Sequence, residues 1–248
     1  MVVIYSHRGN LNTTNKGEIV MAGKKSAEII EIRPVEMGSV IVHIKGTSPL
    51  ITHNWSEKAK KEMLDKQMKK AKAGSREAKN PVAEFATALY WADGEPKIEY
   101  KDWTEEKFVE VATGAKFGFP VTAVKQCGIS AAYRAGMVKD KMGLRSSFFI
   151  DGYGPMQLAI IESDTLPEMR EDMVKVGMGT ADLRYRPMFV NWGMTLKVRY
   201  NKNGAFSLDQ ILNVINLGGQ TNGIGEWRNE RDGQFGMFAI DRVDEIEV

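Results

Sequence analysis

Apolar residues recur along this chain with two periods, and the changes between them mark out its elements. Ser39–Lys45 alternates, with Val40, Val42 and Ile44 apolar. That period of two predicts a half-buried strand, ended by Thr47-Ser48-Pro49-Leu50-Ile51. Upstream, Ala27–Arg33 is strand-like, and Pro34 and Gly38 punctuate a turn after it. Residues 1–25 are polar and rich in Gly, Asn and Thr, which predicts a flexible N-terminal arm.

Helical spacing takes over next. Ser56 can cap a Lys-rich helix running to about Ala73. Asn80-Pro81 starts another with proline at its first position, and Val82, Phe85, Ala86 and Leu89 share one face. Gly94-Glu95-Pro96 breaks the pattern, and Thr104 caps a short helix to about Ala112. Pro120 opens a helix to about Gly136, with Val121, Val124, Ala131 and Ala135 on its buried side and Lys125 and Arg134 toward solvent.

Ser146–Asp151 and Met156–Glu162 read as strands, and Leu166–Gly179 as a Met-rich loop. Ala181–Met188 and Trp192–Tyr200 both alternate and read as a hairpin, with Pro187 closing its first strand. Ser207 and Gln210 form a capping box ahead of the apolar face of Leu208, Ile211, Leu212 and Ile215. Gly218-Gly219 is expected to stop that helix. A Gly-rich loop and a strand near Phe235–Val243 follow. The order predicts an α+β fold with a modified ferredoxin-like (RRM-like) core. Long helical and loop insertions are expected at about 56–115 and 163–180, within a single domain over 26–248.

Composition narrows the class. Of 248 residues, 43% are hydrophobic and 27% charged, which excludes a wholly disordered chain. No apolar run reaches the ~18–20 residues of a membrane span, and no apolar N-terminal segment suggests a secretory signal. Cys127 is the single cysteine, and the three histidines (His7, His43, His53) share no ligand spacing. The expectation is therefore a cytoplasmic protein with no metal, no cofactor and no membrane partner.

Net charge is +2, but its distribution is uneven. Glu57–Lys79 carries nine Lys/Arg against four Asp/Glu, Arg170–Lys202 seven against three, and Glu226–Val248 three against seven. Two basic zones on a near-neutral chain suggest a localised anionic partner.

Four constellations could carry chemistry. Gly223-Ile224-Gly225-Glu226-Trp227-Arg228, continuing to Gly233-Gln234-Phe235-Gly236, could form an anion-binding nest with Arg228 and Arg231 beside it. The same glycines also suit a plain helix-to-strand connection. The predicted hairpin would place Arg184, Arg186, Lys197 and Arg199 on one side of one ribbon, either as a phosphate track or as a solvated face. Among the aromatics, Tyr153, Phe189 and Trp227 lie in loops beside Gly or Arg and are candidates for stacking on bases, although most aromatics are core. His53, with Lys45 and Lys125, could act as a general base toward a ribose 2′-hydroxyl, or be a hydrogen-bonded structural histidine.

At the glycine loop the chain resembles the RAMP superfamily of CRISPR-associated proteins, as do some phage-encoded proteins. Val42–Leu50 is similar to that family's first strand and its exit, and Phe119–Lys125 into Ala131–Arg134 to its first helix. The resemblance implies a backbone-type subunit that binds single-stranded nucleic acid and stacks along it. It assigns contacts to Lys125, Arg134, Gly223, Gly225, Trp227 and Arg228, and a thumb to 163–180 around Arg170 and Lys175.

Taken together, the expected function is sequence-tolerant binding of single-stranded RNA or DNA by a self-assembling homo-oligomer or filament, without catalysis. A metal-independent endoribonuclease using His53, and a structural assembly protein without a nucleic-acid role, remain as alternatives.

Overall fold

The structure, a computed structural model, describes residues 35–69, 78–176 and 179–246. The predicted arm at 1–25 and the strand-like stretch at Ala27–Arg33 lie outside those residues. In chain order the elements are β1 (Met37–Gly46), β2 (Leu50–Ile51), α1 (Glu57–Gln67), α2 (Pro81–Thr87), α3 (Glu105–Ala112), β3 (Gly118–Pro120), α4 (Val121–Arg134), α5 (Lys141–Ser147), β4 (Phe148–Asp151), β5 (Leu158–Glu162), β6 (Glu168–Val176), β7 (Thr180–Phe189), β8 (Gly193–Asn201), α6 (Leu208–Thr221) and β9 (Phe238–Glu245).

The larger sheet runs β3-β5-β8-β1-β9, with β4 also paired to β8. β4 takes Lys197–Tyr200 of β8 and β5 takes Gly193–Met194, so the two share one flank of that strand. Reduced to its core, the order is β9-β1-β8-β4/β5, with α4 leading from β1 to that flank and α6 from β8 to β9. This is the antiparallel βαββαβ arrangement of a ferredoxin-like fold. Strand alternation buries Val40, Val42 and Ile44 of β1 and Met194, Leu196 and Val198 of β8 in one core with Val124 and Ile129 of α4 and Ile211 and Ile215 of α6. Phe85, Leu89, Trp91, Trp103 and Phe108, from the predicted first insertion, are buried in that same core. Among the described residues no helix is long and apolar enough to cross a membrane.

Several local readings are corrected. Gly218 and Gly219 do not stop α6, which continues to Thr221. They permit close packing instead. A Cβ on Gly218 would lie 2.6 Å from the Cα of Gly128 on α4, and one on Gly219 would strike the backbone oxygen of Phe238. Ala135 is exposed, because α4 ends in a Schellman turn there. Gly136 adopts φ 70°, Met137 N–H donates to Ala132 O and Gly136 N–H to Tyr133 O. Lys141–Ser147 is helical, capped by the Asp140 carboxylate.

The predicted hairpin of Ala181–Met188 with Trp192–Tyr200 does not form. β7 pairs β2 and β6 in a separate three-stranded sheet, whereas β8 pairs β1, β4 and β5. The fully buried pair Leu50 and Ile51 holds Met188–Phe189 of β7, so that strand runs past Pro187. The stretch read as a loop at Leu166–Gly179 contains β6. Its inward face includes the charged pair Arg170 and Asp172, with Asp172 only 7% exposed and bonded by Arg170, while Met169 and Met173 face outward. That inverted pattern hides the strand period.

Candidate nucleic-acid interface

The connection from α6 to β9 is built by backbone contacts that only small residues allow. Ile224 N–H donates to Gly236 O, Gly236 N–H to Pro49 O, and Glu226 N–H to Ile51 O. The N–H groups of Gly223, Arg231, Gly233 and Phe235 also donate within the protein. The anion-binding nest expected here needs consecutive free N–H groups, and those of Gly223, Ile224 and Glu226 are bonded within the protein. A Cβ on Gly225 would strike the carbonyl of Ile51, so this glycine serves close approach of loop and β2. Trp227 is the unusual residue of the loop. It holds φ 50°, a strained conformation for a bulky side chain, and is 40% exposed.

Three arginines from other elements reach this loop and join Arg228, which belongs to it. Arg228 donates to Gly225 O at 3.0 Å and pairs with Glu230 at 2.9 Å. Arg134, at the end of α4, pairs with Glu230 at 2.7 Å. Arg186 of β7 lies 3.6 Å from Glu226 and is 5% exposed, so it braces that carboxylate from inside. Arg170 of β6 stacks over the Phe235 ring at 4.7 Å.

His53, just after β2, hydrogen-bonds Glu226 through Nδ1 at 3.0 Å and stacks on exposed Trp55. The Tyr90 hydroxyl donates to the His53 carbonyl. A cleft of about 250 Å³ opens between these groups and α4, lined by His53, Tyr90, Gln126, Cys127, Arg228 and Glu230.

The charges are mutually compensated. The His53 hydrogen bond, acting against burial and with the charges of Arg186 and Arg228, holds the Glu226 carboxyl below its usual range. Burial raises Glu230, but Arg228 and Arg134 together bring it below its usual value. Burial pushes the Cys127 thiol up to about 12, so it is not a nucleophile. Among the described residues no group of three or more His, Cys, Asp or Glu could hold a metal ion.

The remaining candidates lie elsewhere. Lys125 donates to the carbonyls of Arg145 and Phe148, close to the exposed ring of Phe149. Arg199 flanks the same ring and pairs with Asp151 at 2.8 Å, and Lys197 lies 4.0 Å from that aspartate. Arg184 pairs with Asp182, which also holds Lys79. Lys175 is exposed opposite Ala181. The four cations predicted for one ribbon are therefore divided between two sheets, each with a carboxylate partner. Tyr153 is exposed and bonds Asp93, while Phe189 is buried core.

Sequence reasoning missed Glu226 and Glu230, which bring His53, Arg186 and Arg134 to the loop from distant parts of the chain. It also missed the cations after α4, where residues 135–145 hold three Lys/Arg against one Asp, a count legible in advance.

No family model matches the chain, and no curated protein is similar to it in sequence. One structural neighbour is a chain of the type III-B Cmr-beta complex, solved by cryo-EM bound to cognate target RNA. It is 8% identical with a TM-score of 0.43, over 85% of this chain. The present chain spans 61% of that neighbour's length.

Proposed function

We propose that this protein binds single-stranded nucleic acid, RNA or DNA, with little sequence preference, and that copies assemble along the strand. One observation carries the reading. Arg134, Arg170 and Arg186 come from three other elements and close, beside the loop's own Arg228, on a single loop that presents a strained, exposed tryptophan. Arg134 and Arg228 share one carboxylate, Glu230, so a phosphate can take up donors that Glu230 leaves unsatisfied. Trp227, and Trp55 beside it in the chain of contacts through His53 and Glu226, offer faces to unpaired bases. Arg186 acts as a positioning residue, holding Glu226 and through it His53. Contacts of this kind grip the backbone and carry no base-edge code.

Fluorescence anisotropy with labelled single- and double-stranded oligonucleotides at two ionic strengths tests the reading. Single strands should bind more tightly, and log affinity should fall with log salt by about 0.7 per phosphate contact. A salt-independent affinity, or equal affinity for duplex, would overturn it. A purified protein free of nucleic acid, forming polymers that ignore oligonucleotides, would favour a purely structural assembly role.

A second reading rests on the His53–Glu226 pair. A carboxylate on Nδ1 orients the ring and leaves Nε2 at the cleft, an arrangement suited to taking a proton from a ribose 2′-hydroxyl. RNA cleavage that persists in EDTA and disappears in His53→Ala would establish it.

A further inference from the structure

A second set of cations, outside the loop cleft, lies on the surface formed by α4, α5 and the edge of β4. Lys125, Lys141 and Arg145 all lie there, and among the described residues none of them forms an ion pair with a carboxylate. Asp140, the nearby acid, uses both its oxygens to cap α5. Lys125 and Arg145 are close enough to repel. Burial first, and the Arg145 guanidinium second, lower the Lys125 ammonium below its usual range.

Two aromatic rings stand exposed among these cations. Lys141 Nζ sits 4.4 Å above the ring of Tyr133, and Lys125 Nζ 4.8 Å above that of Phe149, with Arg199 at 5.6 Å from the same ring. Tyr133 is 46% and Phe149 43% exposed. Both rings remain accessible beside their cations, so each has surface left to meet a base. Cations set against half-exposed rings match a chain that alternates phosphates with bases.

We infer that this α4–α5–β4 surface is a second contact for single-stranded nucleic acid, separate from the glycine loop. Lys125, Lys141 and Arg145 take phosphates, and Tyr133 and Phe149 stack bases. The inference rests on the nucleic-acid reading above and extends the footprint beyond the cleft. It therefore makes affinity depend on strand length.

The test compares wild type, a surface variant (Lys141→Gln with Arg145→Gln) and a glycine-loop variant (Trp227→Ala), each checked for an unchanged circular dichroism melt. The probes are a short and a long labelled oligothymidylate and a polyglutamate peptide. The surface variant should lose on the order of tenfold in affinity for the long strand and lower its salt slope by about 1.4, with little change for the short one. Phe149→Ala should weaken the long strand without changing the salt slope. If wild type binds oligonucleotide and the surface variant matches it at every length and salt, this inference is wrong and the cleft reading stands. Equal losses for polyglutamate and oligonucleotide would make the surface a docking site for acidic protein instead. No binding by wild type would remove both.

Discussion

Single residues here do work that their types do not announce. Gly218 looks like a helix breaker, but it lies inside α6 against Gly128 of α4. Gly218→Ala should destabilise the protein by about 1–3 kcal/mol through overpacking, measured by urea unfolding. The same change in an exposed helix would stabilise by about 1 kcal/mol, so the sign tests the contact. Trp227 holds positive φ at the surface. Trp227→Ala should cost about 1–3 kcal/mol of oligonucleotide affinity by anisotropy, and leave unfolding free energy little changed. Glu226 links stability to pH. His53, aided by Arg186 and Arg228, depresses its folded pKa, so the unfolded chain binds the extra proton. The stabilisation is complete above the ordinary value of 4.5 and is lost as pH falls through the lower folded value. Acid titration of unfolding free energy should therefore fall less steeply below that pH in Glu226→Gln than in wild type.

At the scale of elements, those with strong local signals were legible. The capping box of Ser207 and Gln210 forms as its spacing requires, with side chain and backbone bonded in both directions. Ser207→Ala should cost about 1 kcal/mol, read from the urea midpoint. Val40, Val42 and Ile44 alternate because one face of β1 is buried. β6 was illegible for the opposite reason. Its inward residues Arg170 and Asp172 pair with each other through one carboxylate oxygen while the other stays buried without a partner, and its outward methionines stay exposed, so the apolar period is broken. α5 was missed because its seven residues owe their helix to a cap and to the Schellman turn before it. The pairing of β7 failed for want of a long-range fact. Alternation shows that a stretch is a strand but does not name its neighbour.

Across the whole molecule, the proposed function makes one further demand. If copies assemble along a strand, sedimentation velocity should show larger species as oligonucleotide length grows, and a single small species without it. The ferredoxin-like order was readable because each of its core elements carries its own period, cap or breaker, and a short list of topologies accommodates that order. The convergence of Arg134, Arg170 and Arg186 on the loop that carries Arg228 was not readable, nor was the split of the expected four-cation ribbon between two sheets. The sequence alone determined the local elements, the α+β class and the residue types available for charge and stacking. Only the tertiary structure decided which cations meet a carboxylate and which are left without one. Helix and strand periods are set by neighbours a few positions apart, whereas charge compensation depends on residues brought together from distant parts of the chain.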